Sequence, residues 1–318
     1  MKSKAFSRHS DSFYDLLRSV RSCIVFPSAV MAVLFLSFTA ELLYELVLSP
    51  RPQEHDLGDV YRFVFSDYSS DEVSLTFIFG FFLVFAGLFT AFSAFNFCTK
   101  ADASNVVFSF GLKREQLFSN RLYVSLAAMF SAVFIPFFIS LVANIFVLKL
   151  CGGMLEAFFF LVISFFLLEL IGFSVGCAVI MVSGNIFEAF TASALTLLFP
   201  SGALEFVKMI RKFISASAQT YMPEKYPEGV RFVGDISKDF FFLEPITMFF
   251  SGDKNYFRYA SCSAYTGEYS SIPISDVMPV SAWLMICVWL SAATLMLFFS
   301  RRRFFKRKVE IADTILVS

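Results

Sequence analysis

The chain has 318 residues, 57% of them hydrophobic and only 16% charged, with 46 phenylalanines and a mean hydropathy of +0.70. So little charge on so apolar a chain excludes an ordinary soluble domain and points to a protein that crosses a membrane several times. The formal net charge of zero conceals a strong asymmetry along the chain.

The first 21 residues are polar and basic, and the apolar run that follows is too long for the h-region of a removable signal peptide, so none is expected. Within them Phe13, Leu16, Leu17 and Val20 fall at helical spacing, with Asp11 or Ser12 placed to cap the start. This pattern reads as an amphipathic helix on the inner leaflet, with Arg18 and Arg21 toward anionic lipid; a disordered basic tail is the plainer alternative.

A hydrocarbon core of roughly 30 Å needs about 20 mostly apolar residues per helix. Six segments meet that need, at about 23–49, 74–98, 122–148, 155–183, 186–207 and 279–300. The fold class expected is therefore an all-α integral membrane protein with six transmembrane helices. Pro27 is tolerable in the first turns of its segment, where amides lack intrahelical partners, whereas Pro136 should kink the third segment. The fourth and fifth segments are separated only by "SGN", Ser183 to Asn185, a tight turn with a helix-stopping glycine.

Orientation follows from lysine and arginine. Basic residues collect in the N-terminal 1–21 (Lys2, Lys4, Arg8, Arg18, Arg21), in the loop 99–121 (Lys100, Lys113, Arg114, Arg121) and in the tail 301–318 (Arg301, Arg302, Arg303, Lys306, Arg307, Lys308). The loop after the first segment instead carries six carboxylates: Glu54, Asp56, Asp59, Asp67, Asp71 and Glu72. Both termini are thus expected in the cytoplasm. Lys208, Arg211 and Lys212 fall on the outer side in this scheme. An interfacial helix over "LEFVKMIRKFIS", with Leu204, Val207, Ile210 and Ile214 on one face, would accommodate them. The rest of the segment 208–278 is polar, turn-rich and aromatic, and reads as an extracytoplasmic cap.

Catalytic groups are scarce. The two histidines, His9 and His55, lie outside the apolar segments, which leaves no HExxH pair and no base for a nucleophilic triad at bilayer depth. No GxxxxGK[ST] loop is present, so the chain has no phosphate cradle of its own. The six cysteines include no CxxC pair, so a metal site is not expected. Only Cys151 and Cys262 fall where they can meet on the outer side. The expectation is a protein that is not itself an enzyme.

Polar residues inside the apolar segments are few. Glu169, in "FFLLELIGF", lies near the middle of the fourth segment and is the most costly of them. Asn144 lies toward the outer end of the third segment, Glu188 at the inner start of the fifth, and Glu41 and Glu45 share one face of the first. Glu169, Asn144, Glu41 and Glu45 are candidates to line a translocation path or a protomer interface. The competing reading makes Glu169 a neutral acid hydrogen-bonded to a neighbouring helix. Gly172 and Gly176 form a GxxxG that permits close helix approach, more often within a chain than between chains.

The loop 99–121 looks too structured for a simple connector. "ASNVVFSF" can form a short helix from near Ser104, Gly111 breaks it, and "KREQLFSNRL" begins a second helical run into the membrane. Here "FSFGLKREQLFSNRLY" resembles the loop of the permease subunits of type-2 ABC exporters, where a short helix precedes a Gly-basic run into the third span. "FPSGALEFV", Phe199 to Val207, resembles that family's break late in the fifth span, and "YMPEK" and "FLEPITMFF" resemble its later turns. "RRRFFKRKVEIADT" resembles its basic exit from the sixth span. Glu244 before Pro245 departs from the usual Asn or Ser, as does the longer Tyr-rich outer segment.

The resemblance implies a six-helix permease in a bacterial plasma membrane. Such a permease pairs with a second copy or a sister permease and recruits separate ATPase subunits that bind ATP and Mg; this chain would hold no cofactor and bind no nucleic acid. Val107, Phe108, Phe110, Gly111, Lys113, Arg114 and Glu115 would then form the coupling helix, the apolar side chains filling a groove in the ATPase and the charged ones matching its surface. The Ser183–Asn185 turn could make a second, smaller contact. The substrate class expected is amphiphilic or hydrophobic: a peptide, a lipid or a drug. Two other functions fit the residues: a noncatalytic membrane sensor or scaffold that binds a ligand through 208–278, and a secondary transporter with Glu169 as proton site, which the lack of an inverted repeat disfavours.

Overall fold

In a computed structural model, the residues described are 17–47, 75–100, 103–104, 107, 113–148, 152–219 and 280–306. They are helical almost throughout. The elements are α1 (Leu17–Cys23), α2 (Val25–Val47), α3 (Leu75–Phe95) with a 3-10 turn at Asn96–Thr99, α4 (Arg114–Leu148), α5 (Gly152–Ile180), α6 (Ile186–Gln219) and α7 (Val280–Lys306). A helix thus covers each of the six apolar segments. Among the described residues, three stretches are long and apolar enough to cross a membrane: Gly80–Thr99, Arg114–Ile139 and Val162–Ile180. A fourth qualifies if α1 and the start of α2, bent by 49°, count as one span. Residues 1–16 with the cap at Asp11 or Ser12, the carboxylate-rich loop, Cys151, Cys262, the segment 220–278 and the tail 307–318 lie outside the described residues.

Helix α5 is the centre of the bundle, packed against α3, α4, α6 and α7, while α2 packs against α3 and α4. Glycine sets the closest of these contacts. A Cβ built on Gly172 would fall 1.9 Å from the Val84 carbonyl oxygen, and one on Gly176 would meet the Ala91 Cβ at 2.8 Å. The GxxxG of α5 is therefore spent inside the chain. Its counterpart on α3, Gly87, pairs with Ala91 in a small-xxx-small spacing that went unread in the sequence. Val84 faces Gly172 while Ala91 faces Gly176, so numbering rises together along the two helices: α3 and α5 run parallel, as they must if α4 returns between them.

Several interior hydroxyls are satisfied from within their own helix. Thr90 donates to the Ala86 carbonyl at 2.7 Å, Ser174 to Ile171 at 2.9 Å and Ser300 to Met296 at 2.6 Å. Away from water a short hydroxyl can bond its own backbone, because it reaches the carbonyl three or four residues back. Outward faces are apolar: Tyr123 and Phe130 on α4, Phe187, Leu195 and Phe199 on α6, and Leu295 and Phe298 on α7 are all exposed. That surface suits lipid rather than water.

Helix α4 continues through Pro136, whose missing hydrogen bond does not end a helix in a packed apolar bundle. A bend of 49° falls at Ile24, between α1 and α2. Pro27 explains the place: it has no N–H to offer the Cys23 carbonyl, and its ring crowds that carbonyl. Helix α6 also corrects the reading. No break follows Phe199; the helix runs from Ile186 to Gln219 and absorbs the proposed interfacial stretch.

Candidate functional site

One end of the bundle gathers the ends of α3, α5 and α7 with the starts of α2, α4 and α6. Phe304, fully buried in the last turn of α7, is wedged among Phe95, Phe97 and Phe118, at centroid distances of 6.3, 6.2 and 5.5 Å. Phe95 and Phe118 are themselves 5.4 Å apart. Offset and edge-on rings of this kind add to the burial of large apolar area. This aromatic knot fixes where the polar residues around it stand.

The basic residues of the three sequence clusters meet here. Arg18, Arg21, Lys100, Lys113, Arg302, Arg303 and Lys306 are exposed at this end. Arg121 is not. Counted with the surface cations in the sequence, it is 4% exposed. Its Nη1 donates to the Ala94 carbonyl at 2.9 Å and to the Ser22 hydroxyl at 3.2 Å, and its guanidinium lies 5.2 Å from the centre of the Phe97 ring. Ser93 donates to the Ser22 carbonyl as well. A planar guanidinium suits such a junction, since it offers several donors in fixed directions and stacks on aromatic faces.

The loop 99–121 is fastened to this end at two points. The Ser104 hydroxyl donates to the Phe97 carbonyl at 2.5 Å, and Val107 is buried in the core. Ala103, Ser104 and Val107 are helical, and the Ser104 amide donates to the Lys100 carbonyl at 2.9 Å, so helical turns stand where the sequence placed them. One expectation changes: Val107 is held by the chain's own core rather than left to fill a partner's groove. Phe108, Phe110 and Gly111 lie outside the described residues.

Lys113 is exposed at the loop's end. Arg114 and Glu115 open α4, and both are engaged by α7. Glu115 pairs with Arg301, and Arg114 donates to the Phe305 carbonyl at 3.1 Å, capping the last turn of α7. The residues assigned to meet a partner thus also hold the chain's own C-terminal helix. No sequence spacing links 114–115 to 301–305; the aromatic knot brings them together.

At the short turn between α5 and α6, Ser183 donates to the Val179 carbonyl at 3.0 Å. Asn185 then caps α6: its side-chain oxygen accepts from the Glu188 amide at 2.8 Å, while the Glu188 carboxylate accepts from the Gly184 amide at 2.9 Å. The arrangement is close to a capping box, with Asn185 and Glu188 three apart, but Glu188 reaches back to the amide one residue before the cap; in the sequence only the glycine stop was read.

Glu169 stands apart from the basic end. It is fully buried, and neither carboxyl oxygen has a hydrogen-bond partner among the described residues. The reading that bonds it to a neighbouring helix therefore finds no partner there. The interior also holds the Ser125, Ser164 and Ser193 hydroxyls and the Trp289 Nε1 without partners among the described residues. Glu41 and Glu45 lie on α2 and Asn144 on α4, with side chains outside those described. Cys23, Cys98 and Cys177 are buried and Cys287 is exposed, none of them in a disulfide, and no cluster of three metal-ligating side chains occurs among the described residues.

Compared with models of known families and with curated protein sequences, the chain finds no match in either. The likeness to exporter permeases rests on its motifs.

Proposed function

We propose that the chain is the permease subunit of an ABC exporter, six helices with both termini in the cytoplasm, driven by a separate ATPase. The observation that carries this reading is the build of the basic end. A polar loop between two apolar helices is pinned to the bundle through Ser104 and Val107 and continues directly into α4. A loose connector would transmit no force; a loop keyed into the helix ends can.

In this reading the basic end faces the cytoplasm, as the lysine and arginine bias favours. A nucleotide-driven motion of the ATPase presses on the loop at Phe108, Phe110 and Lys113, and shifts the ends of α3 and α4. Differential binding of the ATPase to the two arrangements supplies the energy for the switch. Glu169, with Asn144, Glu41 and Glu45, lines the path or the protomer interface, and a mostly uncharged interior favours an amphiphilic or hydrophobic substrate. Bacterial plasma membrane, pairing with a second permease and ATP with Mg in the partner complete the proposal.

The test is affinity purification of the chain from its native membrane. A nucleotide-binding protein should co-purify, and Phe110→Asp should abolish coupled transport while membrane insertion stays intact. Normal stimulation of the ATPase by that variant counts against the assignment.

A further inference from the structure

We infer that Arg121 is the positioning residue that ties the α3–α4 loop to the α1–α2 joint, so that movement of the loop is delivered to the bend at Ile24. The source of that movement rests on the transporter reading; the tie itself does not.

The contacts form a continuous path. Ser104 in the loop holds the Phe97 carbonyl, and the Phe97 ring lies against the Arg121 guanidinium. Arg121 in turn holds Ala94 at the end of α3 and Ser22 at the end of α1. Ser22 sits two residues before the bend, and its hydroxyl, while accepting from Arg121, donates to the Ser19 carbonyl at 3.0 Å. Both sides of that hydroxyl are thus used, which fixes its rotamer. Ser93 clamps the backbone of the same residue.

The joint at the other end of this path is built to move. Pro27 removes the hydrogen bond that would make α1 and α2 one stiff rod, leaving the Ser28 amide to Ile24 at 2.9 Å and the Ile24 amide to Val20 at 3.1 Å. Leu17, Val20 and Ile24 face outward while Ser19 and Cys23 are buried. Helix α1 can therefore swing on its hinge only by rearranging the buried side, where Arg121 acts. A guanidinium at 4% exposure that spans three elements has little freedom to follow one without the others.

The path carries its own reporters. Cys23 follows Ser22 and Cys98 follows Phe97, and both thiols are buried. Maleimide labelling of the whole chain in its membrane, read for each cysteine by peptide mass spectrometry, follows both ends of the tie. Arg121→Ala should raise labelling of Cys23 and Cys98 about tenfold, the change in local opening expected when a charged hydrogen bond is lost. Cys287, which lies on α7 away from the tie, should show the same labelling in the variant as in the native chain. Unchanged labelling of Cys23 and Cys98 overturns the tie.

A second measurement uses the complex with its co-purified nucleotide-binding subunit. In the native chain, trapping that subunit with ATP and vanadate should change Cys23 labelling. Arg121→Ala should keep the subunit bound yet lose this response, which a residue serving only to pack the bundle would not do. A response equal to that of the native chain overturns the relay. If the native chain recruits no nucleotide-binding protein, the transporter reading fails, while the first measurement still decides the tie. Arg121→Lys, which keeps the charge but not the flat contact with Phe97, gives the same readouts should the alanine variant not accumulate.

Discussion

Gly87 of α3 lies directly against the backbone of Glu169 of α5: a Cβ at Gly87 would stand 1.9 Å from the Glu169 carbonyl oxygen and 2.9 Å from the Phe173 amide nitrogen. Gly172 returns the contact, with a Cβ blocked by the Val84 carbonyl. Backbone cannot swing aside as a side chain can. Gly87→Ala and Gly172→Ala should each destabilise the bundle by about 3 kcal/mol, the upper part of the range for overpacking. Gly176→Ala, which meets the Ala91 methyl at 2.8 Å and the Leu88 carbonyl at 3.2 Å, should cost less, about 1 kcal/mol. Thermal unfolding in detergent, followed by loss of helical signal, ranks the three. Equal behaviour of all three would show that α3 and α5 are not in this register.

Much of this architecture was legible in the sequence, for a specific reason. A helix that must satisfy its backbone without water announces itself by a long apolar run, and each of the six runs is helical. Features that depend on one helix meeting another were not legible. Gly87 is marked only by the weaker small-xxx-small spacing to Ala91, which does not say what it meets; Arg121 looked like any interfacial cation until Ser22, Ala94 and Phe97 closed around it. The pairing of Glu115 with Arg301 joins residues 186 apart. Local signals gave the α5–α6 turn because its whole logic lies within Ser183 to Glu188. The bend beside Pro27 was not expected, because a proline in the first turns of a helix is ordinarily tolerated and the helical turns of α1 before it were read as a separate interfacial helix.

Glu169 combines full burial with two carboxyl oxygens lacking partners among the described residues. An unsatisfied buried polar group lowers stability, and an apolar group of similar size removes that cost. Glu169→Leu should raise stability by about 2 kcal/mol. If Glu169 lines the path, the same variant should lose transport despite its firmer fold. A variant that is both more stable and fully active would reduce Glu169 to a tolerated defect in packing.

The Glu115–Arg301 pair is exposed on both sides, at 61% and 47%. Solvent screens such a pair, so removing either partner should cost only about 0.5 kcal/mol. Its value as a marker of docking is greater. Glu115→Arg should leave the melting temperature almost unchanged yet sharply reduce recruitment of the nucleotide-binding subunit if that surface receives it. Combining it with Arg301→Glu restores the intrachain pair. Recruitment that recovers in the double variant assigns the pair to holding α7 in place; recruitment that stays low assigns Glu115 to the partner.

Asn185 satisfies the Glu188 amide at the start of α6, one of the donors that a helix leaves open at its first turn. Asn185→Ala should cost about 1 kcal/mol, and Asn185→Asp should be nearly neutral because its carboxylate accepts the same bond. The loss should be local. Hydrogen exchange should quicken at Glu188 and Ala189 under alanine and remain slow in α5. Exchange that quickens throughout α5 as well would make the turn a determinant of the whole bundle.

The bend between α1 and α2 follows from a single missing donor, and that makes it removable. Pro27→Ala restores an amide to the Cys23 carbonyl and lifts the ring that crowds it. The two helices should then join into one rod. With α2 along the membrane normal, straightening a seven-residue α1 from its 49° tilt moves its far end by about 3 to 4 Å in depth. A nitroxide at Val20, which faces outward, reports this by its accessibility to oxygen and to a water-soluble relaxant. Straightening also draws Ser22 away from the side where Arg121 donates to it. The Cys23 thiol should therefore become easier to label in Pro27→Ala, although Arg121 itself is intact. A straight rod whose Cys23 stays protected would separate the bend from the contact with Arg121.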